Sequence, residues 1–408
     1  MERRNRHSFI GLALLLTLLI FGGVVQGQPK LRNYEIEARV HLGYLYFQND
    51  EFHSALARYS RHAPAIELSL HRNTYGQQRW EVLHNYPSIG LTAYYSPLAF
   101  RSDSIAKELG QVYALYPFIN FPIIPGERSK LTFKLGVGLS FLTNKFHPQD
   151  GDGIPEGSFH NYAIGSHINA AVNLSFEYRQ RIIDRLSVVT SAGLTHFSNG
   201  ATRSPNMGIN IFSVATGLSW YLTPPKANID RRLRPKNYLF EFDGKRHFVT
   251  DYQYTLGIKD LSQQYGTHQY FFVHDLAADF MFQLTERDRL GIGVEVVWDN
   301  SDKMMQPYYK AFLKPAVLLS YEMMLDRVSF MFNLGIRKNA PGPNQAFLFY
   351  QKLGLRYYVW DGLFASLSFT TYDIKADFIS VGFGYHLQHK YYLPRHEKKS
   401  HRSPVFPR

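Results

Sequence analysis

Apolar and polar residues alternate along most of this chain. Residues 34–46 read YEIEARVHLGYLY, with aromatic or aliphatic side chains at alternate positions and mainly charged or small ones between them. Residues 131–141 and 379–387 repeat the pattern. A period of two places successive side chains on opposite faces of a β-strand, and these runs are longer than the average strand of a soluble sheet. The alternation therefore predicts long strands with one apolar face.

About sixteen such segments follow one another in two series of eight. The first series lies near residues 34–46, 64–73, 87–96, 109–122, 130–143, 162–179, 186–198 and 209–222. The second series lies near residues 237–258, 269–285, 289–299, 309–324, 327–338, 345–359, 363–371 and 375–388. A proline pair at Pro224 and Pro225 and a basic stretch at residues 231–235 separate the two series.

The fold class that we predict is all-β, a transmembrane antiparallel β-barrel of about 14–16 strands. An antiparallel sandwich also shows such alternation, but these strands have the roughly ten residues that cross a bilayer. Aromatic residues make up 15% of the chain, and many lie at strand ends, as in the aromatic belts of membrane barrels. Because lipid offers the backbone no hydrogen-bond partners, the sheet must close on itself.

The pattern leaves the mode of closure open. We expect one continuous barrel, because a second barrel would need its own closure and a linker that crosses its base. Two eight-stranded units are the alternative.

The first 27 residues have the layout of a secretory signal peptide. Arg3, Arg4 and Arg6 precede an apolar run over residues 9–25, and small residues follow it. An uncleaved signal anchor is the alternative. The chain has no cysteine, so neither a lipoprotein anchor nor a disulfide framework is expected. We expect export to the bacterial outer membrane.

Charge is unevenly distributed along the chain. The net charge is +12, and the last twenty residues carry six Lys or Arg and one Glu. In an exported protein we interpret this as a basic tail and expect no nucleic-acid partner. The predicted organisation is a signal peptide at 1–27, a first barrel half at 28–222, a linker at 223–236, a second strand series at 237–388 and a tail at 389–408.

Polar residues interrupt the apolar face where the seventh and eighth predicted strands meet. The connecting stretch, residues 196–210, reads HFSNGATRSPNMGIN. His196 and Ser198 share the more apolar face of strand seven, and Asn210 shares that of strand eight. If both termini lie in the periplasm, strand seven ends at the outer leaflet. Polar groups on a lipid face are costly unless they have partners or a function.

These three residue types can form a nucleophilic site. A serine hydroxyl needs a base to take its proton, and a third group must hold the other nitrogen of that base. Ser198, His196 and Asn210 can take these three roles. The alternative is that the polar side chains mark the headgroup boundary.

The same stretch resembles the signature of the lipid A 3-O-deacylase family, acyloxyacyl hydrolase-like barrels of the outer membrane. The resemblance rests on His196-Phe197-Ser198-Asn199-Gly200, Pro205-Asn206 and Gly208-Ile209, and it covers about residues 34–222. The stretch from Trp80 to Gly90 is similar to longer members from Bacteroidetes-type bacteria. The resemblance implies an eight-stranded barrel in which His196 is the base and Ser198 the nucleophile.

One position departs from the family pattern. The family has an acid where this chain has Asn210. Three explanations stay open. Asn210 suffices, or the site is degenerate, or an acid from the 147–160 loop replaces it, the candidates being Asp150, Asp152 and Glu156.

The reaction implied by the resemblance extends the site. An ester hydrolase needs donors for the developing oxyanion, and the candidates are Asn206 and the backbone amides of Gly200 and Ala201. Arg203 is a candidate ligand for a lipid A phosphate. We expect a serine esterase that removes an ester-linked acyl chain from lipid A of lipopolysaccharide and uses no cofactor or metal. Its partners are then lipopolysaccharide and outer-membrane lipids. A non-enzymatic barrel, either a lipopolysaccharide-binding scaffold or a pore, is the alternative.

Overall fold

The computed structural model describes residues 33–46, 62–98, 109–146, 161, 163–222, 246–260, 269–302, 313–338, 347–360, 362–372 and 375–393. The predicted signal peptide, the linker at 223–236 and most of the basic tail lie outside these ranges. The acidic candidates of the 147–160 loop also lie outside them.

Sixteen strands are present in the described ranges, close to the predicted positions. The first eight are β1 (Tyr34–Tyr46), β2 (His62–Asn73), β3 (Ser88–Ser96), β4 (Val112–Ile124), β5 (Ser129–Leu142), β6 (Ile168–Arg181), β7 (Leu186–Ser198) and β8 (Ile209–Tyr221). The others are β9 (Arg246–Asp260), β10 (Tyr270–Gln283), β11 (Asp288–Asp299), β12 (Leu313–Leu325), β13 (Val328–Lys338), β14 (Phe347–Trp360), β15 (Leu363–Tyr372) and β16 (Lys375–Leu393). A five-residue helix, α1 (Arg79–Leu83), lies between β2 and β3.

The strands close into two eight-stranded barrels, so the expectation of one continuous barrel was wrong and the alternative of two units is confirmed. β8 pairs with β1, and β16 pairs with β9. The physical reason is that eight strands enclose a lumen just wide enough for side chains to fill, so each half buries its own inward-facing residues. We call residues 34–221 the first barrel and residues 246–393 the second barrel. We call the ends at which β1 and β9 finish the outer ends, and the opposite ends the inner ends.

Buried ion pairs fill the first barrel. Lys134 Nζ on β5 lies 2.6 Å from Glu67 Oε1 on β2, and Arg39 Nη1 on β1 lies 2.7 Å from Glu177 Oε1 on β6. Arg179 pairs with two glutamates of β1. Buried charges persist only when they are paired and hydrogen-bonded, and these pairs connect strands across the lumen.

The second barrel is filled in the same way. Arg356 Nη1 lies 2.6 Å from Asp251 Oδ2, and its Nη2 lies 3.0 Å from Asp279 Oδ2. Lys352 Nζ lies 2.6 Å from Glu295 Oε2. A cavity of about 10 Å³ lies beside Asp279, Lys352 and Arg356. Such a space holds about one water molecule.

The outer surfaces of both barrels are apolar, as the alternation predicted. On β1, Val40 is 58% exposed and Leu42 is 76% exposed, whereas the intervening Arg39 and His41 are buried. On β11, Ile292 and Val294 are exposed in the same manner. None of the helices in the described ranges is long and apolar enough to cross a membrane.

The two barrels stand side by side and contact each other at both ends. At the inner end, Arg79 of α1 pairs with Glu286, and His84 Nε2 donates a hydrogen bond of 2.9 Å to the carbonyl oxygen of Met324. Burial lowers the pKa of His84 below its ordinary value, which favours the neutral ring. At the outer end, the β7–β8 loop contacts Asp260 of β9.

The tilt of the strands explains how the second barrel contacts both the β7–β8 loop and the segment between β2 and β3, although these strands are not adjacent. Barrel strands tilt by about 35–45°, so the outer end of β7 lies above the inner ends of strands several positions away. Between these two ends, outward-facing Pro117 and Ile119 of β4 are buried, unlike their exposed counterparts on β1. Other parts of the protein therefore cover this strip.

Candidate functional site

Three of the predicted site residues lie on adjacent strands at the outer end of the first barrel. His196 is the register partner of Asn210, and Ser198 ends β7 two residues later. The burial pattern of β7 alternates, with Ser191 and Thr195 inside and Thr190 and Ala192 exposed outside. His196 and Ser198 have the parity of the outside set, as the sequence predicted.

His196 is held by Asn210. The distance from His196 Nδ1 to Asn210 Oδ1 is 2.7 Å, so Nδ1 carries the proton and Nε2 is the basic nitrogen. Gly208 has a φ of +74°, and a Cβ at this position would lie 2.7 Å from His196 Cε1. The glycine therefore leaves room for the imidazole ring. Among the residues that the structure describes, no carboxylate bonds to His196.

Ser198 lies beside this pair with an unpaired hydroxyl. Its side chain is buried, with 1% of the residue exposed, and Oγ has no hydrogen-bond partner in the described ranges. His196 and Ser198 share a face but are not hydrogen-bonded to each other. Catalytic hydrogen bonds are often long in a free enzyme and tighten when substrate binds.

The loop after β7 turns sharply at two predicted oxyanion residues. Gly200 and Ala201 have φ values of +61° and +60°, and the amide of Thr202 donates to the carbonyl oxygen of Asn199 over 3.3 Å. This is the geometry of a type I′ turn. Neither the Gly200 nor the Ala201 amide donates a hydrogen bond to a residue that the structure describes.

In Asn206, the third predicted oxyanion donor, the side-chain oxygen is hydrogen-bonded and the side-chain nitrogen is not, within the described residues. Its Oδ1 accepts a hydrogen bond of 2.9 Å from the amide of Asn199. Its Nδ2 is buried and has no partner in the described part of the chain. A buried donor without an acceptor is costly, so such groups are often functional.

Arg203 lies in the same loop, on the side of the second barrel. Its carbonyl oxygen accepts a hydrogen bond of 2.7 Å from Asn199 Nδ2, and its side chain is partly exposed. The guanidinium lies close enough to the Tyr270 phenol of β10 to interact with it electrostatically. A phosphate-binding role for Arg203 stays a prediction.

Two sets of contacts to this loop were not predicted from the sequence. One comes from residues 163–165 of the first barrel, and the other comes from Asp260 and Ile379 of the second barrel. These residues belong to no recognisable motif. Only the strand pairing and the packing of the barrels bring them to the loop.

The closed barrels, with apolar outer surfaces and ion-paired interiors, define an outer-membrane barrel protein. Residues 65–219 match the family model described as lipid A 3-O-deacylase. Residues 248–390 match the model described as acyloxyacyl hydrolase, C-terminal domain. Together the two models cover more than half of the chain, one in each barrel. The chain belongs to this family of outer-membrane hydrolases.

Solved structures show weak similarity. The outer membrane enzyme PagL is 14% identical, with 45% of this chain and 97% of that chain covered and a TM-score of 0.29. OccK5 (OpdH) from Pseudomonas aeruginosa is 10% identical, with 88% and 98% covered and a TM-score of 0.21. An outer membrane channel from Pseudomonas putida F1 is also 10% identical, with 90% and 98% covered and a TM-score of 0.19. No curated protein matches the chain.

Proposed function

We propose that this protein is a serine esterase of the outer membrane that removes an ester-linked acyl chain from lipid A at the outer leaflet. One observation carries the proposal. The His196–Asn210 pair lies on the outward face of a barrel, beside two buried polar groups that have no hydrogen-bond partner among the described residues, Ser198 Oγ and Asn206 Nδ2. A nucleophile and an oxyanion donor are the groups that would be left unpaired before a substrate binds.

The first half of the reaction uses His196 as base. Ser198 Oγ attacks the ester carbonyl carbon while His196 Nε2 accepts the hydroxyl proton. The imidazolium then gives this proton to the departing sugar alkoxide, and the acyl chain stays on Ser198. In the second half, water attacks the acyl-serine by the same route and releases a fatty acid. Asn210 Oδ1 keeps the imidazole in the required tautomer throughout.

The loop after β7 supplies the donors for the oxyanion. Asn206 Nδ2 and the amides of Gly200 and Ala201 are available, because none donates to a described residue. Donors that are positioned before reaction stabilise developing charge without reorganisation. In this proposal the partly exposed Arg203 binds a lipid A phosphate.

The setting of the site fits a lipid substrate. The residues that precede His196 on the outer face of β7 are apolar or small, and this face would contact acyl chains. A signal peptide at residues 1–27 would direct export, and the outer ends of the barrels would face the cell exterior. The proposed partners are therefore lipopolysaccharide and outer-membrane lipids, with no nucleic acid, metal or cofactor.

Asn210 favours a second candidate, a lipopolysaccharide-binding scaffold derived from a hydrolase. An amide cannot stabilise the imidazolium as a carboxylate does, and a retired site can lose the charge without consequence. The pore alternative is less well supported, because side chains fill the interiors of both barrels and the cavity of about 10 Å³ in the second barrel cannot pass a solute.

Substitution of the nucleophile and the base tests the proposal. Ser198→Ala and His196→Ala should each reduce fatty-acid release from purified lipid A by about 10⁴–10⁶-fold, and the double variant should lose no more, because the two residues act as one unit. Ser129→Ala, at the exposed inner end of β5, removes a serine hydroxyl far from the site; it is the matched control and should retain activity. Mass spectrometry of lipid A measures release. Absence of release by the folded wild-type protein would favour the scaffold.

A further inference from the structure

The loop that carries the proposed oxyanion donors lies between two supports. On one side, within the first barrel, the amide of Gly165 donates to the carbonyl oxygen of Pro205 over 2.7 Å, and the amide of Met207 donates to that of Ala163 over 2.9 Å. These bonds hold the half of the loop that contains Asn206. They do not reach the turn at Gly200 and Ala201, which is closed within the first barrel by hydrogen bonds from Thr202 to the carbonyl oxygen of Asn199.

Asp260 of the second barrel holds that turn. Its amide donates a hydrogen bond of 2.9 Å to the carbonyl oxygen of Ala201. Its Oδ2 accepts a bond of 3.1 Å from the amide of Ser204, and its carbonyl oxygen accepts a bond of 2.5 Å from Ser204 Oγ. Asp260 is 2% exposed, and a buried carboxylate requires such donors. Three bonds therefore join this residue to both ends of the segment 201–204.

The turn also abuts the second barrel sterically. A Cβ at Gly200 would lie 2.2 Å from Ile379 Cγ1 on β16. The Ile379 side chain thus sets how far the turn can move away from the first barrel. The second barrel restrains the turn both by hydrogen bonds and by contact.

We propose that the second barrel completes the active site and that Asp260 is a positioning residue for the oxyanion loop. The inference rests on the proposed esterase function. It gives the second barrel a role in that reaction. Without this role, no residue of the second barrel would take part. The Asp260 carboxylate acts through the Ser204 amide, the main chain of Asp260 bonds to Ala201 and to the Ser204 hydroxyl, and none of these groups touches the reacting atoms.

The physical expectation follows from what oxyanion donors do. They act on charge that develops in the transition state, and displacement of a donor by a fraction of an ångström weakens this effect. Loss of the Asp260 carboxylate should therefore lower kcat and leave KM nearly unchanged. The side chain introduced by Asp260→Asn retains an oxygen that can accept from the Ser204 amide, so this variant should lose less activity than Asp260→Ala.

The first experiment measures kcat and KM of the full-length protein for ester release from lipid A in detergent micelles. Asp260→Ala should lower kcat by about 10–100-fold, and Asp260→Asn should recover most of this loss. Asp288→Ala is the matched control, because it removes a carboxylate of the second barrel at the inner end, where Asp288 Oδ1 accepts from Tyr321. Heat-modifiable migration in gels verifies that each variant is folded.

The second experiment uses the steric contact. Gly200→Ala should reduce kcat, because the new methyl group meets Ile379 and the φ of +61° is unfavourable for alanine. Adding Ile379→Ala should restore part of the lost activity, since it creates the missing space. Recovery by a substitution in the other barrel is not expected if Gly200 matters only for the fold of its own loop.

The results separate this inference from the proposed function. If the wild-type protein releases no fatty acid, the esterase proposal fails. If the wild-type protein is active and folded Asp260→Ala keeps its kcat, only the positioning role fails. A loss confined to KM would instead assign Asp260 to substrate binding and would also overturn the inference, as would a Gly200→Ala defect that Ile379→Ala leaves unchanged.

Discussion

At the residue scale, the proposed chemistry depends on Asn210. Its Oδ1 lies 2.7 Å from His196 Nδ1, so the amide can select the tautomer that leaves Nε2 free to accept a proton. A carboxylate at this position would do the same and would also stabilise the imidazolium. Asn210 therefore supplies only the orientation of His196, whereas an acid would supply both this orientation and a stabilising negative charge.

Asn210→Asp should increase the rate of fatty-acid release by about tenfold or more, because the added charge stabilises the imidazolium of the transition state. Asn210→Leu removes the acceptor and should decrease the rate. Steady-state release from purified lipid A measures both effects. A rate that falls on Asn210→Asp would indicate that another acid already serves His196.

At the scale of strands, buried charges connect elements that are distant in sequence. Glu67 of β2 lies 2.6 Å from Lys134 Nζ of β5 and 3.1 Å from His41 Nε2 of β1. It also pairs with Arg39. The backbone ladder joins only neighbouring strands, so the Glu67–Lys134 pair connects β2 to β5, which the ladder does not join directly. The effect of these pairs is greatest when one partner is removed and the others stay charged.

Glu67→Gln should therefore destabilise the first barrel by about 3–5 kcal/mol, since the buried cations Lys134 and Arg39 each lose one carboxylate partner. Urea unfolding in lipid vesicles, followed by the loss of heat-modifiable migration, measures the change. Glu127→Gln, at an exposed position between β4 and β5, is the control and should change stability by less than about 0.5 kcal/mol. Equal effects of the two variants would contradict a structural role for the lumen network.

At the scale of the whole molecule, two closed barrels are joined by one connection and contact each other at both ends. β8 completes its pairing on β1, and β9 completes its pairing on β16. Among the described strands, no backbone ladder links the barrels. Covalent continuity between residues 222 and 246 is then not required for either barrel to keep its strands paired.

A protease site inserted at residue 230 and cleaved after assembly should leave both fragments heat-modifiable. In a single sixteen-stranded barrel, β8 and β9 would be neighbours in one sheet, and the fragments would unfold together. Gel migration of each fragment with and without boiling distinguishes these outcomes. The proposed fatty-acid release should also persist, because hydrogen bonds between the β7–β8 loop and Asp260 join the barrels at the outer end.

Much of the fold and the arrangement of the candidate site could be predicted from the sequence alone. The bounds of β1 and β7 agree with prediction at both ends, because an amphipathic strand in a bilayer must alternate along its whole length. The same alternation placed His196, Ser198 and Asn210 on one outward face. β7 and β8 form a hairpin, so their outward residues next to the connecting loop are neighbours whether the strands close as one barrel or as two.

Closure and the contacts between the barrels were decided only by the tertiary structure. The edges of β8 and β9 carry backbone donors and acceptors that are the same in every strand, so alternation could not show that β8 returns to β1. The choice came from how the inward side chains fill a lumen of eight strands. Asp260 is likewise an ordinary strand-end residue in sequence. It reaches Ala201 and Ser204 because two separately closed barrels pack side by side, a relation that depends on surfaces far apart in the chain.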